Sequence, residues 1–589
     1  MTPSPTATAA LCIAGGPRSG KTGTLVERAA AWAEAVPAVP GARPSFLFFC
    51  ASPVTVDEAS ERLSQRGLAS TSFRRGALRN DKGDDSQNPR ELDSLSPRGE
   101  RRGTVATPFD YACHILADPL AQQATGRGGR VLSRAEEAVF YEDLKTCGLK
   151  RRRLRELWAF LLCGLANLSD SDPNWIQTTE EQAILDLARD ILAFEGAILP
   201  GEVVNLAVRA LETEPTLRQH FGSPVVLADD YLLMSRASQR LVNLLAADKI
   251  AVAGNEDDAL PAFEPYPCPT GFAEFEKAYS PLQRVTFEAS FPAIERAWKE
   301  APDLPGEMGL IARTIAEELA CGTDPRAITV VGTNRTWRTN LQRALASVGI
   351  PAAPLGHPAL KAPKGDLAST SKEDRERVLR LLAVDHGNAI AWRQWLSFDD
   401  ALGRSAAVSE LRCVAQPQGL NLAEALAALD DDALPGLPAE SPFAQSLLAP
   451  YREAQRLLRE EAPSVSPEPA THPTPAVAIA APEDLFGHTF EAVIFGGFVN
   501  GFIPSRDMCD PGVIVGGARA RQETTDRAAI ALAEQRTTRR LLFTSFESCD
   551  LETAERLRLH IPRIRLRNGV RTCDIEPSSY LQELNLNLK

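Results

Sequence analysis

Two textures of apolar and polar positions alternate along the chain. Short apolar runs occur at Leu11-Cys12-Ile13, at Pro224–Ala228 (PVVLA) and at Lys249–Ala253 (KIAVA). Runs this short, bounded by turn or acidic residues, predict buried strands. Longer stretches carry helix formers or helical spacing: Thr24–Glu34 (TLVERAAAWAE), Ser235–Ala247 (SRASQRLVNLLAA) and most of 361–460. Within 133–215 the residues Leu154, Leu157, Leu161 and Leu162, then Ile184, Leu185, Leu187 and Ile191, recur at helical intervals. Strand–helix alternation of this kind predicts an α/β fold with parallel sheets, interrupted by helical insertions. The Pro-rich segment Glu461–Val477 predicts an extended linker. No apolar run approaches the roughly 18 residues needed to span a membrane.

Composition narrows this picture. The chain has 589 residues, 44% hydrophobic and 24% charged, which excludes a disordered or collagen-like chain. At about 150 residues per domain, the length suggests about four domains or one multi-lobed machine. The net charge of −13 confines any nucleic-acid grip to a local basic track on an acidic body. Met1–Ala10 lacks the basic start of a secretory signal, and the 11 cysteines stand singly, without a CxxC pair. Both features predict a cytoplasmic protein with reduced thiols and no structural zinc or iron–sulfur site.

The sharpest local chemistry follows the first strand. Gly15-Gly16-Pro17-Arg18-Ser19-Gly20-Lys21-Thr22 matches G-x-x-x-x-G-K-[ST], between an apolar strand and a helix-forming stretch. Glycines let the backbone close around phosphates, with the helix N-terminus facing them. Lys21 is then placed to reach the terminal phosphates of ATP, and Thr22 to ligate Mg²⁺. The second run ends in Asp229-Asp230. Asp229 suits a Mg²⁺-holding carboxylate and Asp230 an activator of water. The competing reading of this pair is a cap for the next helix. A third strand ends in Gly254-Asn255-Glu256-Asp257-Asp258.

Taken in order, these segments resemble the UvrD/Rep/PcrA family of superfamily 1 DNA helicases. Phe46–Leu63 is similar to that family's strand and helix of motif Ia, and Val105–Leu116 (VATPFDYACHIL) to its segment lining the single-strand path. Ala327–Gly356 and Phe490–Pro504 resemble its second-lobe strands, Asp526–Thr544 its motif VI, and Pro577–Leu584 its closing "SRFLEEL". The resemblance implies two RecA-like P-loop NTPase lobes, each with a mainly helical insertion. It implies ATP and Mg²⁺ as cofactors, Arg536 as an arginine finger, and single-stranded or partly duplex DNA as substrate. Movement would run 3′ to 5′ in DNA repair or recombination. Thr107, Phe109 and Tyr111 fall in the DNA-lining segment. Tyr231, Trp337 and Trp392 are further candidates for stacking bases.

On this basis the first lobe is expected at 1–119 and 215–270, with its helical insertion at 120–214. The second is expected at 271–360 and 474–550, interrupted by a short insertion and linker at 361–473, and a tail follows at 551–589. The basic run Lys150–Arg155 reads equally as a solvated helix face or a phosphate patch. Residues 74–103, with eight basic and six acidic side chains, are expected to form a mobile loop.

Departures from the family pattern cluster on ATP chemistry. Asp230 replaces a glutamate, Leu232-Leu233 replaces Gln-Asp, and Asp258 replaces a glutamine. Ser290-Phe291-Pro292 replaces Asn-Tyr-Arg, and Phe486-Gly487-His488-Thr489 replaces Lys-Gly-Leu-Glu. Two readings therefore stay open. One is an ATP-driven translocase. The other is a degenerate helicase-like scaffold that binds DNA, or a second helicase or nuclease subunit, without productive turnover.

Overall fold

The computed structural model describes residues 9–16, 19–35, 44–72, 102–256, 264–288, 294–355, 372–460, 475–509, 516–567 and 569–584. Pro17, Arg18, Asp257, Asp258, Ser290, Phe291, Pro292 and most of the basic stretch 74–103 lie outside them. The first sheet opens with β1 (Ala9–Gly15), β2 (Phe46–Phe49), β3 (Ala69–Ser72) and β4 (Arg102–Ala106). Two short strands, β5 (Arg130–Val131) and β6 (Ala197–Ile198), pair within the first insertion. The first sheet then resumes with β7 (Ser223–Ala228), β8 (Ala246–Gly254) and β9 (Leu282–Phe287).

Its order is β3-β4-β2-β7-β8-β1-β9, and every pairing is parallel. One strand, β8, separates the strand before the P-loop from the strand carrying Asp229. Both therefore deliver their chemistry to the same carboxyl edge, where open α/β sheets bind ligands. Helices cover both faces, so Val225, Val226, Leu227 and Ala228 are buried without alternation.

The second sheet contains β10 (Glu295–Ala301), β11 (Ile328–Val331), β12 (Ala352–Pro354), β13 (Val477–Ala480), β14 (Phe490–Phe495) and β15 (Thr537–Phe546). It is also wholly parallel, in the order β10-β15-β14-β11-β13-β12. A small antiparallel sheet of β16 (Ser548–Asp550), β17 (Arg563–Arg567) and β18 (Val570–Asp574) closes the chain. Two parallel sheets flanked by helices, the first with its P-loop strand beside an interposed strand, make two RecA-like lobes.

One expected boundary moves. The stretch from 271 is expected in the second lobe, yet β9 pairs with β1 from Ala10↔Leu282 to Gly15↔Phe287. The helix Gly271–Ala278 also packs back, placing Phe272 and Phe275 at 6.3 and 5.9 Å from the Tyr231 ring. The first lobe thus extends through Phe287, and the second sheet starts at Glu295.

The helical spacing in 133–215 forms the helices Arg134–Leu144, Arg151–Ala166 and Thr179–Glu195, which bury Leu154, Leu157, Leu161, Ile184, Leu185 and Ile191. The basic run lies at their surface, where Arg152 pairs with Glu156 at 3.0 Å and Arg153 with Glu180 at 2.6 Å. Residues 372–460 form five helices with a core of their own, and that core takes in Phe194 of the first insertion. Among the described residues, no helix is long and apolar enough to cross a membrane.

The second lobe buries one carboxyl group completely. Glu307 accepts hydrogen bonds from the Trp337 indole (3.0 Å), the Gly497 amide (2.8 Å) and the Thr544 hydroxyl (2.8 Å). It thereby ties the helix Leu304–Ala320 to the helix Arg335–Ser347, to β15 and to the loop after β14. Burial outweighs these donors and pushes Glu307 up to about 7. A carboxyl whose folded-state value is raised holds its proton longer in the native state. Its contribution is fully present below the ordinary carboxylate range and is lost as pH rises through about 7. Glu307→Gln should therefore flatten the fall in stability between acidic and mildly alkaline pH, measured by urea unfolding across that range. An unchanged slope would contradict the assignment.

Candidate nucleotide site

The loop after β1 needs glycine at two positions for distinct reasons. A Cβ on Gly15 would lie 2.8 Å from Ser19 Oγ and 2.9 Å from the Phe287 carbonyl oxygen, closer than real contacts allow. Gly20 has φ +90°, a left-handed conformation that side chains resist, as it caps the helix Lys21–Glu34. No side chain caps this helix, so its first-turn amides remain for a ligand. Among the described residues, Ser19 Oγ is likewise buried without a hydrogen-bond partner. A narrow glycine-lined cradle, an uncapped helix start and an orphaned hydroxyl together fit a bound phosphate chain.

Lys21 is nearly buried, and its ammonium donates to the Gly16 carbonyl at 2.6 Å, folded across the loop. Thr22 Oγ1 donates to Asp229 Oδ2 at 2.5 Å, although 207 residues separate them. The other Asp229 oxygen accepts the Asp230 amide at 3.0 Å, and the Asp229 amide donates to the Phe49 carbonyl at 2.8 Å. Burial and the adjacent Asp230 charge push Asp229 up to about 7, against the opposing pull of Thr22 and Lys21. A carboxylate so placed beside a hydroxyl has the donor set of a hard divalent cation, whose charge would favour its ionised form. Asp230 sits at φ 51°, and among the described residues its carboxylate takes no hydrogen bond.

Contacts then lead from Asp229 to the second lobe. Cys50 follows β2, and its thiol is raised by burial and by the charges of Asp229 and Asp230. Ser52 and Thr55 form a capping box at the start of the helix Pro53–Gln65. Against that start lies Gly487 of the second lobe, where an added Cβ would be 2.8 Å from Thr55 Cγ2. The neighbouring Phe486 ring lies 5.9 Å from the Arg536 guanidinium. Arg536 ends the helix Gly516–Arg536, and its Nε is buried without a partner among the described residues. His488 is lowered by burial and by Arg536. The P-loop, Asp229, the start of the Pro53–Gln65 helix and Arg536 are thus linked through neighbouring contacts across the seam between lobes. The Ser52–Thr55 element was not singled out from sequence, although a Ser-Pro-x-Thr stretch directly after an apolar strand signals such a cap.

The expected nucleic-acid residues separate by burial. Tyr111 is 3% exposed and its hydroxyl donates to the Phe221 carbonyl at 2.6 Å, so its ring is core and offers no face to a base. Thr107 is buried as the N-cap of the helix Pro108–Leu116, bonded to Asp110. Phe109 is half-buried at the same helix start. Tyr231, Trp337 and Trp392 are also core rings, with polar atoms satisfied by Asn243 (3.0 Å), Glu307 (3.0 Å) and the His386 carbonyl (2.8 Å). The expectation that these rings stack bases is corrected for all but Phe109, because the aromatic content that suggested it went to packing.

No family model matches the chain, and no curated protein matches it. Among solved structures, it is similar to a point variant of S. cerevisiae Dbp5 bound to RNA and ADP BeF3. That match has 9% identity over 91% of this chain and 78% of that one, with a TM-score of 0.36. The same Dbp5 variant bound to a Gle1 variant and IP6 gives a TM-score of 0.34 at 9% identity, over 91% and 78% of the two chains. With Nup159, Gle1, IP6 and ADP it gives 0.32 at 9% identity, over 91% and 80%. Likeness at this level carries no argument about activity.

Proposed function

We propose that the chain is an ATP-dependent DNA helicase or single-stranded DNA translocase of UvrD/Rep-like type, working 3′ to 5′. The observation that carries the nucleotide part is the Thr22–Asp229 contact at 2.5 Å, made by the two residues that sequence placed on Mg²⁺. Mg²⁺, when bound, would neutralise charge on the terminal phosphates. In this reading, the loop amides and Ser19 hold the phosphate chain, and Lys21 leaves the Gly16 carbonyl to meet it. Asp230, whose carboxylate takes no hydrogen bond among the described residues, orients the attacking water. Arg536 supplies positive charge from the second lobe, so turnover requires the lobes to close. Alternating closure and opening then steps the chain along a strand that passes Phe109.

A specific observation favours the second reading, a non-hydrolysing scaffold. Phe486 stands where the family has a lysine, and its ring holds Arg536 by a cation–π contact. Tailed duplexes separate the two readings. The motor reading predicts ATP-dependent unwinding, or displacement of an end-bound block, only when a 3′ tail is present. Strand separation that prefers a 5′ tail, or DNA binding without any ATP-dependent movement, would overturn it.

A further inference from the structure

The closing sheet carries surface chemistry that the nucleotide site does not use. Its order is β16-β18-β17, and among the described residues no strand pairs with the outer side of β17. Arg563, Ile564, Arg565 and Leu566 are all exposed, with Ile564 at 53% and Leu566 at 72%. An outer strand that leaves its backbone donors and acceptors unpaired is a template for another strand. Natural edges commonly protect themselves with charge. Here the alternation puts arginines on one face and two large apolar side chains on the other.

Charge decides which strand fits. From 556 to 572 the chain holds six arginines (Arg556, Arg558, Arg563, Arg565, Arg567 and Arg571) and no Asp or Glu, within a protein of net charge −13. Among the described residues, Arg565 pairs with Asp574 at 2.6 Å. A second copy pairing in register would set arginine opposite arginine, which like charges disfavour. An acidic strand meets the opposite condition on one face and covers Ile564 and Leu566 on the other.

We propose that β17 is a strand-addition site that takes an extended segment of a partner protein in which acidic and apolar residues alternate. The partner's backbone supplies the missing ladder bonds, and its side-chain alternation supplies the selection. This inference stands apart from the nucleotide reading, because it rests on an edge and a charge pattern distant in sequence from the P-loop.

The test uses the full chain and a labelled synthetic peptide of alternating glutamate and valine, followed by fluorescence anisotropy. Two controls accompany it: the same peptide N-methylated at alternate amides, and a single-stranded oligonucleotide as competitor. The peptide is expected to bind saturably. Methylation, or the double substitution Ile564→Glu and Leu566→Glu, should weaken it about tenfold or more. Arg563→Glu should weaken it as well, and thermal unfolding confirms that these surface variants remain folded. Absence of peptide binding would overturn the proposal, as would equal binding of the methylated peptide. An oligonucleotide that displaces the peptide and itself loses affinity in the double variant would reassign the edge to nucleic acid. Absence of ATP turnover would overturn the proposed function without touching any of these readouts.

Discussion

Arg536→Ala is expected to lower the ATP turnover number about 10³-fold or more, with a much smaller change in KM. The residue ends its helix at the seam between lobes, and its Nε is buried with no hydrogen-bond acceptor among the described residues. A buried Nε–H with no acceptor among the described residues costs desolvation unless a ligand supplies one during the cycle. Its charge would act where the transferring phosphoryl group builds negative charge, so its removal falls on kcat rather than on binding. Arg536→Lys should recover little, because an ammonium lacks the planar fork. Phe486→Ala provides the complementary arm: it frees the guanidinium from the ring and should leave turnover unchanged or raise it. A loss smaller than about tenfold in Arg536→Ala would move this residue from phosphate chemistry to packing.

The second large effect concerns the contact between the two insertions. Arg393 donates to both oxygens of Asp143, at 2.8 and 2.5 Å, and to Ser405 Oγ at 3.0 Å, with both charged residues almost wholly buried. Glu195 lies in the same cluster and is pushed up to about 8 by burial and by the Asp143 charge. Arg393→Leu strands the buried Asp143 carboxylate beside Glu195 without its guanidinium partner and should cost about 3–5 kcal/mol. Joint replacement of Asp143 and Arg393 by leucine should recover most of that loss, since a buried ion pair gains little over apolar packing. Hydrogen exchange in the helices Arg134–Leu144 and Ala389–Leu396 reads this locally, which suits a chain of several lobes. If the single substitution costs less than about 1 kcal/mol, the pair is solvated in solution and the insertions are not joined through it.

The legible part of this protein was its local chemistry. The P-loop could be read because glycine, lysine and threonine at fixed spacing describe one turn of chain, and Asp229 because it ends an apolar strand. Helical periodicity around Leu154 and Ile184 was equally direct. What depends on distant partners could not be read. The place of β9 beside β1 is a strand order, and nothing in Leu282–Phe287 itself says which sheet it joins. Trp337 and Tyr111 were candidate platforms for bases because composition does not reveal which rings are enclosed. Their indole and hydroxyl donors turned out to be spent on Glu307 and the Phe221 carbonyl. Glu307 itself meets Gly497 across 190 residues, and Arg393 meets Asp143 across 250, so neither left a local signature.

ATP turnover at the Thr22–Asp229 site is expected to respond to DNA. Steady-state ATP hydrolysis with Mg²⁺, with and without saturating single-stranded DNA, tests it on the wild type and on Lys21→Ala. Turnover is expected to rise when DNA is added and to fall to background in Lys21→Ala, while the variant keeps its thermal unfolding profile. Turnover indifferent to DNA, or unchanged in Lys21→Ala, would contradict it.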